Sequence, residues 1–203
     1  MKTPPLQLRN GALAATFCGA LITSAAMAAD NPASADNPQV KRGAHLVAVS
    51  GCHDCHTPFK MGKNGPEPDM TQMLSGHPQG MVMPPPPKLD GAWVWAGSAT
   101  NTAFAGPWGI SYAVKLTSDA DTGIGKWKAD EFVKAIKTGK HIGVSRPIMP
   151  PMPWQAYSHD SDADLRAIFA YLKTVPAIKN KVPDYAPPAA PPASPAGKPT
   201  APK

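Results

Sequence analysis

The chain is 203 residues long, 42% hydrophobic and 17% charged, with a formal net charge of +6. That length and apolar content suit one domain around one core. The positive charge is spread without a Lys/Arg run or a basic stripe, which excludes nucleic acid as a partner and suits docking to an acidic protein.

Lys2 and Arg9 form a positive start, and Gly11 to Ala26 is a small, apolar run. At about 16 residues it falls short of the roughly 20 that a membrane span needs. Ala26-Met27-Ala28 puts small residues where a signal peptidase cuts, so residues 1–28 are expected to be an export signal cleaved after about Ala28. The expected compartment is then the periplasm, and the mature chain carries +4 because two basic residues leave. Residues 29–36 read as a short linker and 37–182 as the folded domain. Cys18 leaves with the signal. The two remaining cysteines are too close together to staple a fold with a disulfide.

Val40, Ala44, Val47 and Ala48 share one face of a helix over Pro38–Ser50, which runs straight into Gly51. Next comes Cys52-His53-Asp54-Cys55-His56, a Cys-x-x-Cys-His motif. Two thiols three positions apart on a helical turn can reach the two vinyl groups of one porphyrin and form two thioethers. The following histidine is then held beneath the iron as an axial ligand. A thioredoxin-like pair would follow a strand within a βαβ pattern, which this sequence lacks. A structural zinc site would need a second pair of ligands at close spacing, and no third cysteine survives cleavage. One covalent haem c is therefore expected, bound through Cys52 and Cys55 with His56 on the iron.

Residues 57–112 show little periodicity and many prolines and glycines, including Pro84 to Pro87, together with Trp93, Trp95 and Trp108. The expectation is a long irregular insertion with, at most, a short hairpin around Trp93–Thr102; a loop of that length usually wraps something or has a function. Asp69, Met70, Met73, His77, Met81 and Met83 cluster within about 15 residues, and soft thioethers suit Cu(I). The plainer reading is a methionine-rich loop packed on the haem or on tryptophans.

Lys128–Thr138 reads as a helix with Phe132, Ala135 and Ile136 inward and Gly139 as its C-terminal cap. In Arg146–Trp154 (RPIMPPMPW) prolines brace Met149 and Met152, and the chain can return across the face opposite His56. A methionine in the sixth position raises a haem's potential and keeps both axial sites filled, as an electron carrier requires. Met152 is the first choice and Met149 the second. His77 and His141 are the rivals, whereas His45 and His159 read as surface or helix-face residues. The last helix starts at Ser161 with Asp164 as capping partner, carries Leu165, Ile168, Phe169 and Leu172 inward, and stops before Pro176. From Pro183 the chain is mostly Pro, Ala and Lys, so 183–203 is expected to be an extended tail.

These parts resemble a class I c-type cytochrome: a first helix bearing Gly43, the Cys-x-x-Cys-His motif, a methionine loop and an aromatic-bearing final helix (165–174, LRAIFAYLKT). Three stretches are similar to single domains of the multihaem cytochrome subunits of membrane-bound alcohol and sugar dehydrogenases. They are RGAHLVAVSGCHDCHTP (42–58), LTSDADTGIGKWKADEF (116–132) and MPW with SDADLRAIFAYLKT (152–154, 161–174). The resemblance implies a mostly α, cytochrome c-like fold around one haem, with Met152 in the ligand position and Gly43 against Phe169 or Tyr171. It also implies electron transfer rather than catalysis, between a dehydrogenase donor and an oxidase or cytochrome acceptor, with membrane contact only through a partner. Those subunits usually carry three such domains; this chain has one haem motif, the insertion 62–112 and the Pro/Ala tail. Trp108, Trp127, Trp154 and Tyr112 are expected to wall the haem pocket or fill the core, one of them or Thr117 binding a propionate. The alternative is a haem-dependent redox enzyme, which would need a displaceable sixth ligand and an acid–base group such as His77 or Glu67.

Overall fold

The structure, a computed structural model, describes residues 35–188. The expected export signal and the part of the tail beyond 188 lie outside the described residues. Helix α1 (Pro38–Val49) begins at Asn37, whose side chain accepts from the Gln39 N–H at 2.8 Å, with Pro38 in the first turn where its missing N–H is no loss. Its inner stripe is Val40, Gly43 and Val47; Ala48 faces solvent. Helix α5 (Asp162–Leu172) begins as expected, with Ser161 Oγ accepting from the Asp164 N–H at 3.0 Å, and buries Leu165, Ile168, Phe169 and Leu172.

α1 and α5 cross at Gly43, where a Cβ would lie 1.9 Å from the Ala167 carbonyl oxygen and 2.9 Å from Tyr171 Cβ. Only a residue without a side chain permits that approach. Of the two expected neighbours Tyr171 is there, whereas Phe169 turns to Phe132 on helix α3 (Ala129–Thr138), ring centroids 5.5 Å apart. α3 ends at Gly139 in the left-handed conformation, as the sequence predicts. Val47, Ile136, Leu165, Leu172 and Val175 join these rings in one core.

The expectation of a mostly α protein needs correction. Five α-helices are accompanied, among the described residues, by two small antiparallel sheets within the stretch read as irregular loop. Strands β1 (Phe59–Gly62) and β2 (Gly65–Pro68) form a hairpin. Strands β3 (Ala96–Gly97), β4 (Ala103–Gly106) and β5 (Gly109–Tyr112) form the second sheet, in that order. Its first pairing joins Ala96 to Ala105 and Gly97 to Phe104, so the hairpin lies slightly further along than Trp93–Thr102. These strands have two to four residues and are rich in Gly and Ala, too short for an alternating pattern to register.

The chain after α5 folds back over this insertion. Asn180 donates to the carbonyls of Ser75 and His77 and accepts from the Gln79 N–H. Ile110 and Ala186 exchange both backbone hydrogen bonds, at 2.8 and 3.0 Å, and the Tyr185 hydroxyl donates to the Trp108 carbonyl. Residues 183–188, read from sequence as the start of the tail, thus lie along the edge of β5.

Among the described residues, one charged side chain is fully interior. The Lys115 side chain is inaccessible, and its ammonium donates to Asp119, Thr122 Oγ1 and the Ile178 carbonyl. Asp119 also accepts from the Thr122 N–H and hydroxyl, and these bonds, followed by Lys115, hold its carboxyl far below the ordinary range. A depressed folded-state pKa stabilises the fold above the unfolded value, about pH 4, and that contribution is lost as pH falls towards the folded value. Asp119→Asn is therefore expected to lower the denaturation midpoint at neutral pH, with the gap from the parent narrowing in acid. Gly43→Ala is expected to cost about 2 kcal/mol in denaturant unfolding, because the α1–α5 crossing must open.

Candidate functional site

The Cys-x-x-Cys-His motif forms its own short helix, α2 (Cys52–His56), set off from α1 by Gly51 at φ +66°. A side chain at Gly51 would be strained by that backbone and would meet Asp54 Oδ2 at 2.8 Å. Cys52 and Cys55 lie on this turn, half-buried and in no disulfide. Burial pushes the Cys52 thiol up to about 11 and, with help from the Asp54 carboxylate, raises Cys55 as well. Redox and zinc chemistry both need thiolates, which this setting disfavours. Addition of a neutral S–H across a vinyl group leaves no charge on sulfur and suits the same setting.

His56 is 7% exposed, and its Nδ1 lies 2.7 Å from the Val114 carbonyl. A carbonyl only accepts, so Nδ1 carries the proton and the lone pair is on Nε2. Nε2 makes no hydrogen bond, and no buried side-chain nitrogen among the described residues lacks a partner, so Nε2 borders open space. Burial pulls the His56 pKa down, more than the bond to Val114 raises it, which keeps the ring neutral. A neutral imidazole with one nitrogen pinned and the other presented is what an iron ligand requires. The residues present therefore fit a c-type haem, with Cys52 and Cys55 able to hold its edge and His56 its iron.

Val114 is held in place from behind. The stretch 113–116 runs beside 74–77 through the bonds His77 N–H to Ala113 O (3.0 Å) and Leu116 N–H to Leu74 O (2.9 Å), while Gly76 N–H reaches His56 O at 2.8 Å. Thr57, fully buried, receives the Leu74 N–H at 2.9 Å and lies 3.0 Å from His53 Nδ1.

The methionine loop approaches from α3. Ile148 N–H bonds Gly139 O at 2.8 Å, and the Trp154 indole lies on Gly139, where a Cβ would be 2.3 Å from the ring. Met149 and Met152 are both half-buried, joined by a turn from Met152 N–H to Met149 O at 3.3 Å. Helix α4 (Trp154–Tyr157) starts two residues after Met152, and the Tyr157 hydroxyl donates to Ser50 O at 2.7 Å, directly before Gly51 and Cys52. Burial, then the two cysteines, raise the Tyr157 pKa.

The remaining candidates fall elsewhere. His77 is completely buried, with Nδ1 2.9 Å from Thr102 Oγ1, Nε2 3.0 Å from the Met81 carbonyl, and its ring against Tyr112. Both nitrogens are engaged, which removes it as an axial ligand, a copper ligand or an acid–base group. Asp69 is taken up by Lys60 and Thr71, and no group of three or more His, Cys, Asp or Glu among the described residues is arranged to hold a metal ion. His141 packs edge-on against Trp127, and Trp108 donates to Ser111 Oγ at 3.2 Å. Thr117 is buried and receives the Ile178 N–H at 3.4 Å, an internal role. Sequence reasoning missed Val114 and Ser111, and nothing in their local pattern marks them.

No protein-family model matches the sequence. The chain is similar to the cytochrome subunit of the fructose dehydrogenase of Gluconobacter japonicus, 27% identical over 158 residues, or 75% of this chain and 26% of that one. It is similar to the cytochrome c subunit of the quinone alcohol dehydrogenase of Gluconobacter oxydans, 30% identical over 148 residues (71% and 26%). It is also similar to the cytochrome c subunit of the gluconate 2-dehydrogenase of Pantoea cypripedii, 27% identical over 150 residues (74% and 25%). The chain thus resembles cytochrome c subunits, and the particular ones it resembles are those of sugar and alcohol dehydrogenases. It spans about a quarter of the length of each.

His77→Phe is expected to lower unfolding stability by about 2 kcal/mol, because buried polar partners such as Thr102 lose theirs. The haem absorption spectrum of the purified holoprotein should not change.

Proposed function

We propose that this protein is a monohaem c-type cytochrome that carries single electrons for a periplasmic dehydrogenase. The observation that carries the reading is the constellation at α2: two uncharged thiols beside a buried, neutral histidine whose Nδ1 is pinned to Val114 O. The likeness to cytochrome c subunits of dehydrogenases supports the same reading and supplies the class of partner. Export ahead of haem attachment rests on residues 1–28.

The haem would supply the ferrous–ferric couple. Cys52 and Cys55 would hold its edge through thioethers, so the cofactor stays with the chain. His56 would present Nε2 to the iron, its ring orientation held by the Val114 carbonyl. Met152 would supply a second ligand to the iron. The support for Met152 over Met149 is its place next to α4, whose Tyr157 is bonded to Ser50 beside the cysteine helix. A thioether accepts no proton at neutral pH, so this ligand pair lets an electron pass without an accompanying proton. The net positive charge of the chain suits an acidic docking face on the donor or acceptor.

Met152→Ala is expected to abolish the sulfur–iron charge-transfer band of the oxidised protein and to lower its reduction potential, while Met149→Ala keeps both. The reverse pattern would transfer the ligand role to Met149. Cys52→Ser with Cys55→Ser is expected to leave haem extractable by acid solvent, read by absorbance and by the mass of the intact chain.

A further inference from the structure

The inserted sheet reaches both the methionine loop and His56 through one short stretch of chain. Ser111, on β5, donates its hydroxyl to the carbonyl of Pro150, in the loop between Met149 and Met152. Three residues on, the Val114 carbonyl accepts from His56 Nδ1 at 2.7 Å. Near-extended chain covers about 10 Å over three residues. Residues 111–114 therefore form a strut between the histidine side and the methionine side.

The Ser111 hydroxyl has one preferred acceptor. A hydroxyl has one proton. Its nearer acceptor is Pro150 O, with Phe104 O further away at 3.4 Å. The Trp108 indole N–H donates to the same oxygen at 3.2 Å, which turns the lone pairs towards Trp108 and the proton towards Pro150. Ser111 is 5% exposed, so water does not compete for the bond. Other ties of the methionine loop run to the end of α3 and the segment just after it: Ile148 N–H to Gly139 O, Trp154 on Gly139, and His141 N–H to Arg146 O. The Ser111 bond ties the loop to the same stretch of chain, 111–114, that orients His56.

We propose that Ser111 is a positioning residue for the sixth ligand: through Pro150 it holds the methionine loop over the iron, so the insertion tunes how firmly the methionine stays bound. This inference rests on the Met152 assignment. Its prediction concerns the oxidised protein, where a methionine ligand is displaced by an added strong-field ligand. The measurement is imidazole titration of the oxidised holoprotein, followed by loss of the sulfur–iron band, alongside the reduction potential.

In Ser111→Ala the expected result is about fivefold tighter apparent imidazole binding, the equivalent of one lost hydrogen bond worth roughly 1 kcal/mol. The potential should fall, because imidazole-free oxidised protein also loosens its methionine. Ser111→Thr, which keeps the hydroxyl, should restore both. Unchanged imidazole affinity and potential in Ser111→Ala would overturn the proposal. So would equal effects in Ser111→Ala and Ser111→Thr, which would mark a packing role only. If Ser111→Ala does not retain haem, Trp108→Phe carries the test: freeing the hydroxyl to reorient should tighten imidazole binding in the same direction, and no change there would equally overturn the proposal. Survival of the sulfur–iron band in Met152→Ala would instead show that the ligand assignment had failed.

Discussion

The close crossing of α1 and α5 at Gly43 is the constraint on which the site depends. With no side chain at Gly43, the α1 backbone rests on the Ala167 carbonyl and Tyr171. That contact fixes the direction in which α1 ends, and hence where Ser50, Gly51 and the cysteine helix begin. Tyr157 then closes the frame from the other side by donating to Ser50 O. The cysteine helix has only five residues, too few to be stable alone. Its geometry is borrowed from the two longer helices that cross beside it.

A second frame is built from chain that a minimal helical domain would not need. The stretch 74–77 runs against 113–116, and Asn180 locks Ser75 and His77 from the C-terminal side. His77 and Thr102, both fully buried, satisfy one another, with the Met81 carbonyl taking the second ring nitrogen. This polar cluster has a structural purpose: every buried side-chain nitrogen and oxygen in the described residues is partnered, which makes the cluster specific rather than costly. Its product is a rigid rail that delivers one carbonyl, that of Val114, to His56.

The electrostatics of the site follow from burial. Low polarity around α2 raises both thiols and lowers His56, so three groups that could each carry charge are held neutral. A neutral site of this kind suits a cofactor whose iron changes charge by one while its surroundings do not. The internal Lys115 shows a different solution, a buried side chain whose Nζ donates to a carboxylate, a hydroxyl and a carbonyl.

What could be read from the sequence was local. Cys52, Cys55 and His56 declare themselves because their chemistry depends on spacing within one helical turn. Ser161 and Gly139 are likewise legible, since a cap involves residues three or four apart. Gly43 was legible through the helical pattern and the resemblance. The two sheets were not, because strands of two to four residues are too short to register a hydrophobic alternation, and their pairing is made by backbone. His77 looked like a possible ligand; only the arrival of Thr102 and the Met81 carbonyl at its two nitrogens made it structural. Residues 183–188 looked like tail, and only the open edge of β5 gave them a partner. The candidate haem-binding residues could be picked out from the sequence alone, because that information is contained in a few consecutive positions. Which distant carbonyls and hydroxyls hold those residues still emerges only on folding, because Val114 meets His56 across 58 positions and Ser111 meets Pro150 across 39.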